Sequence, residues 1–311
     1  MNTAAFASLY DLTPELARYG GEPAQMPSAS HGKCGFLDLS FVRDPESGRS
    51  LLRNMERRVP FLVQKALYWD EAMPELPCVM VITTSGCLLQ GDRMEMRVRV
   101  EEGACAHVTT QSATKIHMMD VNYASQVQYL EVEAGGYLEY MPDPVIPHRT
   151  SRFASDTQIV VAEGGTALYG EILQPGRLHH HEDERFGFDL YAAVVRVQRP
   201  GVDQPLFVER MAVEPRNGSL DAVGVMNGFD VMGTVYLIAP PETVRLVLAE
   251  TPPTVEPDAI WGANLLPESC GLMFRALGRT TESVKALTRG FWETARLACT
   301  GKGLPREFLW R

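Results

Sequence analysis

The chain has 311 residues, of which 45% are hydrophobic and 22% charged, so it can bury a sizeable core and is not a disordered segment. Against 29 Lys and Arg stand 39 Asp and Glu, a net charge of −10, and no basic run stands out, which excludes a general nucleic-acid or anionic-membrane binder. No stretch reaches the ~18 consecutive apolar residues of a membrane span, the first residues lack a basic then apolar export pattern, and six cysteines occur without a CxxC pair. A reducing, cytoplasmic setting is expected.

In chain order, Thr13-Pro14-Glu15 offers an N-cap, a first-turn proline and an acid at the positive end of a helix dipole. A short helix is expected over 14–19, stopped by Gly20. From Cys34 to Leu248 the pattern is strand after strand, at least ten in all. Met94 to Val100, Ala104 to Val108 and Gln128 to Val132 alternate apolar and polar side chains, whereas Cys78 to Ile82, Phe188 to Val197 and Thr234 to Ala239 are apolar on both faces. Val100-Glu101-Glu102-Gly103-Ala104, Val132-Glu133-Ala134-Gly135-Gly136 and Val161-Ala162-Glu163-Gly164-Gly165 form a weak repeat at intervals of 32 and 29 residues. Stacked hairpins would read this way, and so would unrelated antiparallel turns.

A linker-like stretch at 249–257 precedes one amphipathic helix, in which Val284, Leu287, Phe291, Trp292, Ala295 and Ala298 share a face, Glu282 lies in the first turn, and Gly301 with Pro305 ends it. The expected fold is therefore mainly β, with layered or stacked strands of a β-helix-like kind, few helices and one amphipathic helix near the C-terminus. The divisions are an N-terminal extension (1–30), a β-rich body (31–248) and a C-terminal α+β segment packed on it (249–311), forming one domain overall.

Phosphate-loop, dinucleotide-binding, serine-elbow and zinc-protease signatures are all missing, which argues against the common enzyme classes. His179-His180-His181 is the one metal-like run, but neighbouring residues of an extended segment point to opposite sides. A transient nickel or zinc contact and a solvated loop both fit. Polar groups end or interrupt apolar strands at Thr83 to Gly86, Thr109 to Lys115, Leu138 to Pro144 and Tyr169 to Ile172. Gathered on one side they would line a polar interior passage; read blandly, they cap strand ends.

At these segments the chain resembles the urease accessory protein D family, called H in some bacteria. The resemblance runs collinearly from about residue 31 through Gly32 to Leu39, Pro60 to Tyr68, Thr84 to Asp92, Thr109 to Lys115, Leu138 to Pro144, Glu171 to Arg177, Phe207 to Arg210, and the closing helix with Pro305, Arg306 and Trp310. It implies a non-catalytic scaffold on apo-urease that binds a helical accessory protein (F), and through it a GTPase (G), while nickel is delivered. It implies no cofactor of the chain's own beyond transient Ni²⁺, and no nucleic-acid or membrane partner. By motif, the nickel-route candidates are Asp92, Thr114, Lys115, Glu171 and Glu209, with Cys87 and His179 to His181 weaker, and Phe291, Trp292 and Trp310 as partner contacts. Carboxylate oxygens suit weak, exchangeable contact with a divalent cation. Cys87 departs from the family pattern by replacing a second glycine after Gly86, and Asp183-Glu184-Arg185 lengthens the segment before Phe186. The alternatives are an acid/base enzyme built on Glu139, Asp143 and Glu171, or a nickel or zinc store built on His179 to His181.

Overall fold

A computed structural model describes residues 6–19 and 33–305. Near its start, α1 (Ala7–Leu12) runs into a 3₁₀ helix over Pro14–Tyr19. The expected helix at 14–19 is thus wound more tightly, and Gly20 lies outside the described residues. The strands are β1 (Cys34–Arg43), β2 (Ser50–Arg58), β3 (Phe61–Leu62), β4 (Ala66–Leu67), β5 (Cys78–Thr83), β6 (Arg93–Val100), β7 (Cys105–Thr110), β8 (Thr114–Ile116), β9 (Ala124–Val132) and β10 (Tyr137–Tyr140). They continue as β11 (Val145–Pro147), β12 (Arg152–Val161), β13 (Thr166–Leu173), β14 (Leu190–Gln198), β15 (Phe207–Val213), β16 (Val231–Ile238), β17 (Thr254–Val255), β18 (Ala259–Leu265) and β19 (Gly271–Gly278). Two further helices, α2 (Pro241–Ala249) and α3 (Thr281–Thr300), complete a mainly β fold.

Two sheets enclose the main core. One has the order β15-β14-β12-β9-β6-β1-β2, and the other runs β17-β18-β19-β16-β13-β10-β7-β5-β3. The Glu-Gly turns do not close hairpins, which corrects that part of the sequence reading. Each instead carries the chain from one sheet to the other: β6 to β7, β9 to β10 and β12 to β13. The strand beside β6 is then β9 of the next unit, and the strand beside β9 is β12, both in parallel; β7, β10 and β13 line up likewise opposite them. The turns bond to one another, with Gly103 N–H donating to Ala134 O at 3.0 Å and Thr166 N–H to Gly136 O at 2.9 Å. Gly103, Gly135 and Gly164 hold φ of 65°, 64° and 76°, a left-handed conformation that glycine takes without steric cost. Beyond β13 the second sheet turns antiparallel through β16, β19 and β18, so this unit-on-unit arrangement stops there.

The outer face of the first sheet is covered by the N-terminal segment, where Phe6, Leu9 and Leu16 pack on Tyr123, Val127, Ala154, Leu190 and Ala192. The outer face of the second sheet is covered by α3. Its N-cap Thr280 accepts from Ser283 N–H, and Gly301 in the left-handed conformation closes it. Val284, Phe291, Trp292 and Ala295 form its buried stripe, as the apolar spacing predicts. α2, which the sequence reading did not foresee, packs beside it and begins at two consecutive prolines, a start that the fixed φ of proline favours.

Candidate functional site

Side chains of a strand alternate between faces, so each polar residue of β10 and β13 belongs either to the space between the sheets or to the layer under α3. Leu138 and Tyr140 face inward with Ala167 and Tyr169, while Tyr137, Leu168 and Ile172 lie in the helix-side core. By the same alternation Glu171 belongs to the inter-sheet space and Glu139 to the layer beneath α3.

Between the sheets lies a cavity of about 60 Å³. All four polar strand-end segments contribute to its wall, through Thr83, Thr110 and Thr114, Tyr140 and Asp143, and Tyr169 and Glu171; the facing sheet adds Gln126, Gln128 and Ser155. A second space of about 50 Å³ shares Val81, Thr83, Leu88, Thr110 and Thr114 with it and extends to Gly86, Cys87 and Lys115, forming a mouth. Inside, Gln128 Nε2 donates to Thr157 Oγ1 at 2.9 Å and to the Tyr169 hydroxyl at 3.3 Å. Tyr169 in turn donates to Glu171 Oε1, while Gln128 Oε1 stays a buried acceptor without a partner among the described residues. Burial pushes the Glu171 carboxyl up, against the pull of the Tyr169 hydrogen bond and the Arg275 charge. Most of the remaining wall is apolar, with Phe61, Val81, Leu88, Met96 and Phe153; the hydroxyls, amide oxygens and desolvated carboxylate set into it can hold water and offer weak oxygen ligands to a divalent cation.

The other route candidates sit elsewhere. Asp92 is fully buried, and its carboxylate accepts from Lys33 N–H at 2.8 Å and Leu89 N–H at 2.9 Å, so it pins the turn before β6. Glu209 stands on the edge strand β15 and accepts from Arg275 Nη2 at 3.0 Å. Arg275 is cross-strand from Thr234, which is cross-strand from Glu171, so this guanidinium stands between the cavity carboxylate and Glu209. Lys115 lines the mouth rather than the cavity.

Cys87 is partly exposed there. It lies outside the left-handed region, with only Gly86 at φ 72°, so replacing the second glycine creates no backbone strain. His179 and His180 line a groove of about 680 Å³ beside the start of α3, and His181 Nδ1 pairs with Asp183 at 2.6 Å. The longer segment after them folds back, because the buried Glu184 pairs with Arg177 and accepts from Arg149 N–H. Among the described residues no three His, Cys, Asp or Glu side chains form a metal-holding group.

Phe291 and Trp292 are interior. Phe291 stacks on Phe274 with ring centroids 4.6 Å apart, and Trp292 stacks on His107 at 5.2 Å. Trp310 lies outside the described residues. The surface that α3 offers is carried instead by residues such as Leu297, which is exposed.

A constellation that the sequence reading did not assemble lies under α3. Arg296 Nε and Nη2 donate to the two oxygens of Glu139 at 2.7 and 2.9 Å, and Nη1 donates to Asp70, all with side chains fully buried. Trp292 Nε1 and the Tyr137 hydroxyl each donate to Glu139 Oε1 at 2.7 Å, and His107 Nδ1 meets Oε2 at 3.0 Å. Burial alone would raise the Glu139 carboxyl, but the His107 and Arg296 hydrogen bonds and the Arg296 charge outweigh it and hold it at about 2. The glutamate is thus a permanent anion that ties the helix to the sheet. Asp143 pairs with Lys285 at 2.8 Å and shares the inter-sheet cavity with Glu171, whereas Glu139 lies on the other side of the sheet beneath α3, so the three carboxylates do not converge as one acid/base set.

Comparison with known proteins matches residues 33–311 to the model of the UreD urease accessory protein family. The urease accessory protein UreD of Yersinia pseudotuberculosis serotype O:1b is 56% identical over 300 residues, covering 96% of this chain and 92% of its own length. That of Yersinia enterocolitica serotype O:8 is 54% identical over 305 residues, covering 96% and 93%. That of Photorhabdus laumondii is 50% identical over 301 residues, covering 96% and 92%. With nearly the whole length matched at such identity, the chain belongs to the UreD family of urease accessory proteins and serves urease maturation.

Proposed function

We propose that this chain is a cytoplasmic, non-catalytic scaffold that sits on apo-urease, binds accessory protein F and through it the GTPase G, and offers nickel a polar route between its two sheets. The observation that carries the route is the inter-sheet cavity with Glu171 at its inner wall and Thr114 at the join to the mouth. In this reading Glu171 offsets part of the cost of stripping water from Ni²⁺, and Gln128, Thr110, Thr114 and Ser155 supply neutral oxygens. Hard oxygen ligands bind loosely enough to release the ion, whereas a closed set of thiolates and imidazoles would retain it. Arg275 stands at the far side of Glu171 and closes the path toward Glu209 while it keeps its present partner. Asp92 serves the route indirectly, by holding the turn that leads into β6.

The partner surface on the C-terminal helix is its exposed side, with Leu297 as the most apolar contact, because Phe291 and Trp292 are needed at home. Co-purification of urease subunits with this chain, with and without accessory protein F, tests the scaffold role. Recovery of a urease complex in both cases, joined by F when it is present, is the expected result. Failure to recover urease in either case overturns it.

A further inference from the structure

Beside the mouth of the cavity stands a pair of histidines that the route described above does not use. β8 and β11 run parallel with Ile116 opposite Pro147, which brings the next residues, His117 and His148, side by side. Their ring centroids are 5.7 Å apart at an interplanar angle of 54°. His148 is 5% exposed, yet neither of its ring nitrogens has a hydrogen-bond partner among the described residues. A buried imidazole loses its water on folding and ordinarily regains bonds within the protein, so two unpartnered nitrogens ask for a ligand. His117 is exposed, and its Nδ1 lies 3.1 Å from the carbonyl oxygen of Met118. A carbonyl can only accept, so Nδ1 carries the hydrogen and, in the neutral ring, Nε2 keeps its lone pair. A backbone carbonyl holding the far nitrogen in this way is how ligating histidines are usually oriented.

We propose that His117 and His148 form a two-imidazole binding point for a borderline divalent transition-metal ion, Ni²⁺ as cargo, at the mouth of the inter-sheet cavity; this rests on the conduit reading and gives it a docking point. Two imidazoles each bound at ~2.0–2.1 Å through one nitrogen place their ring centroids roughly 4.5–6.4 Å apart for angles at the metal from about 90° to 180°, a range that contains the observed spacing. Water completes the coordination, since no third His, Cys, Asp or Glu joins the pair among the described residues. The surrounding charge keeps binding weak. The charges of Arg177 and Lys115 both act on His148, and Glu184 is engaged by Arg177. An ion held by two neutral rings near a lysine is readily passed on, and Lys115 and Thr114 line the mouth where that hand-over takes place.

The test is calorimetric titration of the purified full chain with nickel chloride, beside His148→Phe, His117→Ala and the control Glu56→Ala, an exposed position on β2. Phe fills the ring volume of His148 without its nitrogens, and His117 is on the surface, so at least one variant folds normally; melting temperature checks this. Loss of one Ni²⁺ equivalent in both variants but not in the control is expected. Unchanged stoichiometry in a folded variant of either histidine overturns the proposal. So does a melting-temperature rise caused by inorganic phosphate rather than Ni²⁺ and abolished by His148→Phe, which would mark an anion site. Urease activation by the same variants is read separately. If the equivalent is lost and activation is untouched, the pair binds metal and the conduit reading of this mouth fails; if binding persists while cavity variants still block activation, only the pair's role fails.

Discussion

Arg296→Met is the sharpest test of how the fold is held. The side chain is fully buried, and its guanidinium serves both oxygens of Glu139 and one of Asp70. Methionine keeps much of the volume but leaves two carboxylates buried without a cation. Removing one partner of a buried pair costs about 3–5 kcal/mol. The depressed Glu139 carboxyl, to which His107 contributes as well as Arg296, points to the same order of magnitude. Glu139 at about 2 instead of its usual 4.5 is worth about 3 kcal/mol at ~1.4 kcal/mol per unit. For a chain of 311 residues, with an unfolding entropy of ~0.65 kcal/mol/K, the melting temperature should fall by roughly 5–8 °C. Because the folded value of Glu139 is depressed, this stability is present above its unfolded pKa and is lost as pH falls from about 5 through about 2. The gap between wild type and variant should therefore be widest near neutral pH and should narrow over that acid window. Thermal melts followed by circular dichroism at several pH values read this difference. A variant melting within 1–2 °C of wild type at neutral pH, by the same scale, would refute the reasoning.

Asp92→Ala should lower stability by about 1–3 kcal/mol through two orphaned backbone donors, seen as an early urea midpoint, and a variant of normal stability would return Asp92 to the list of route residues. Gly165→Ala should cost about 1–3 kcal/mol, because an added Cβ would meet Glu133 O at 2.8 Å and Ala162 O at 3.2 Å; an unshifted melt would mean that the turns are not packed as described. Leu297→Glu should leave the melt within about 0.5 kcal/mol of wild type while weakening the complex with accessory protein F, and undiminished pull-down of F would place that contact elsewhere.

Alternation and capping made much of the fold readable. Met94 to Val100 and Gln128 to Val132 declare one buried face each and appear within β6 and β9, and the α3 stripe is set by i, i+3, i+4 spacing between Thr280 and Gly301. The turn motif announced a repeat but not its pairing, because a Glu-Gly turn looks the same whether the chain returns along the same sheet or crosses to another. α2 went unseen because its consecutive prolines read as a break when no partner surface is in view. At the site, polar residues at strand ends did mark Thr110, Thr114, Asp143 and Glu171 as neighbours of one cavity. Asp92 and Glu209 carry the same chemistry in sequence, yet one is spent on backbone donors and the other on Arg275, and only three-dimensional partners distinguish them. The same holds for Arg296, whose place on the apolar stripe of α3 was the available signal: a lone arginine there must find carboxylates. His148 had no signal beyond its identity.

The central claim is that the inter-sheet cavity carries the metal, and the nickel content of urease made with altered cavity residues tests it most directly. Urease is co-expressed with its accessory proteins and this chain bearing Glu171→Gln, which removes the charge at nearly constant volume, or Thr114→Phe, which fills the join between cavity and mouth. Urease is then purified and its nickel per active site measured by mass spectrometry, alongside pull-down of the assembled complex. The account predicts an intact complex with nickel-poor urease in both cases. Fully loaded urease delivered through an intact complex carrying both substitutions together would contradict it.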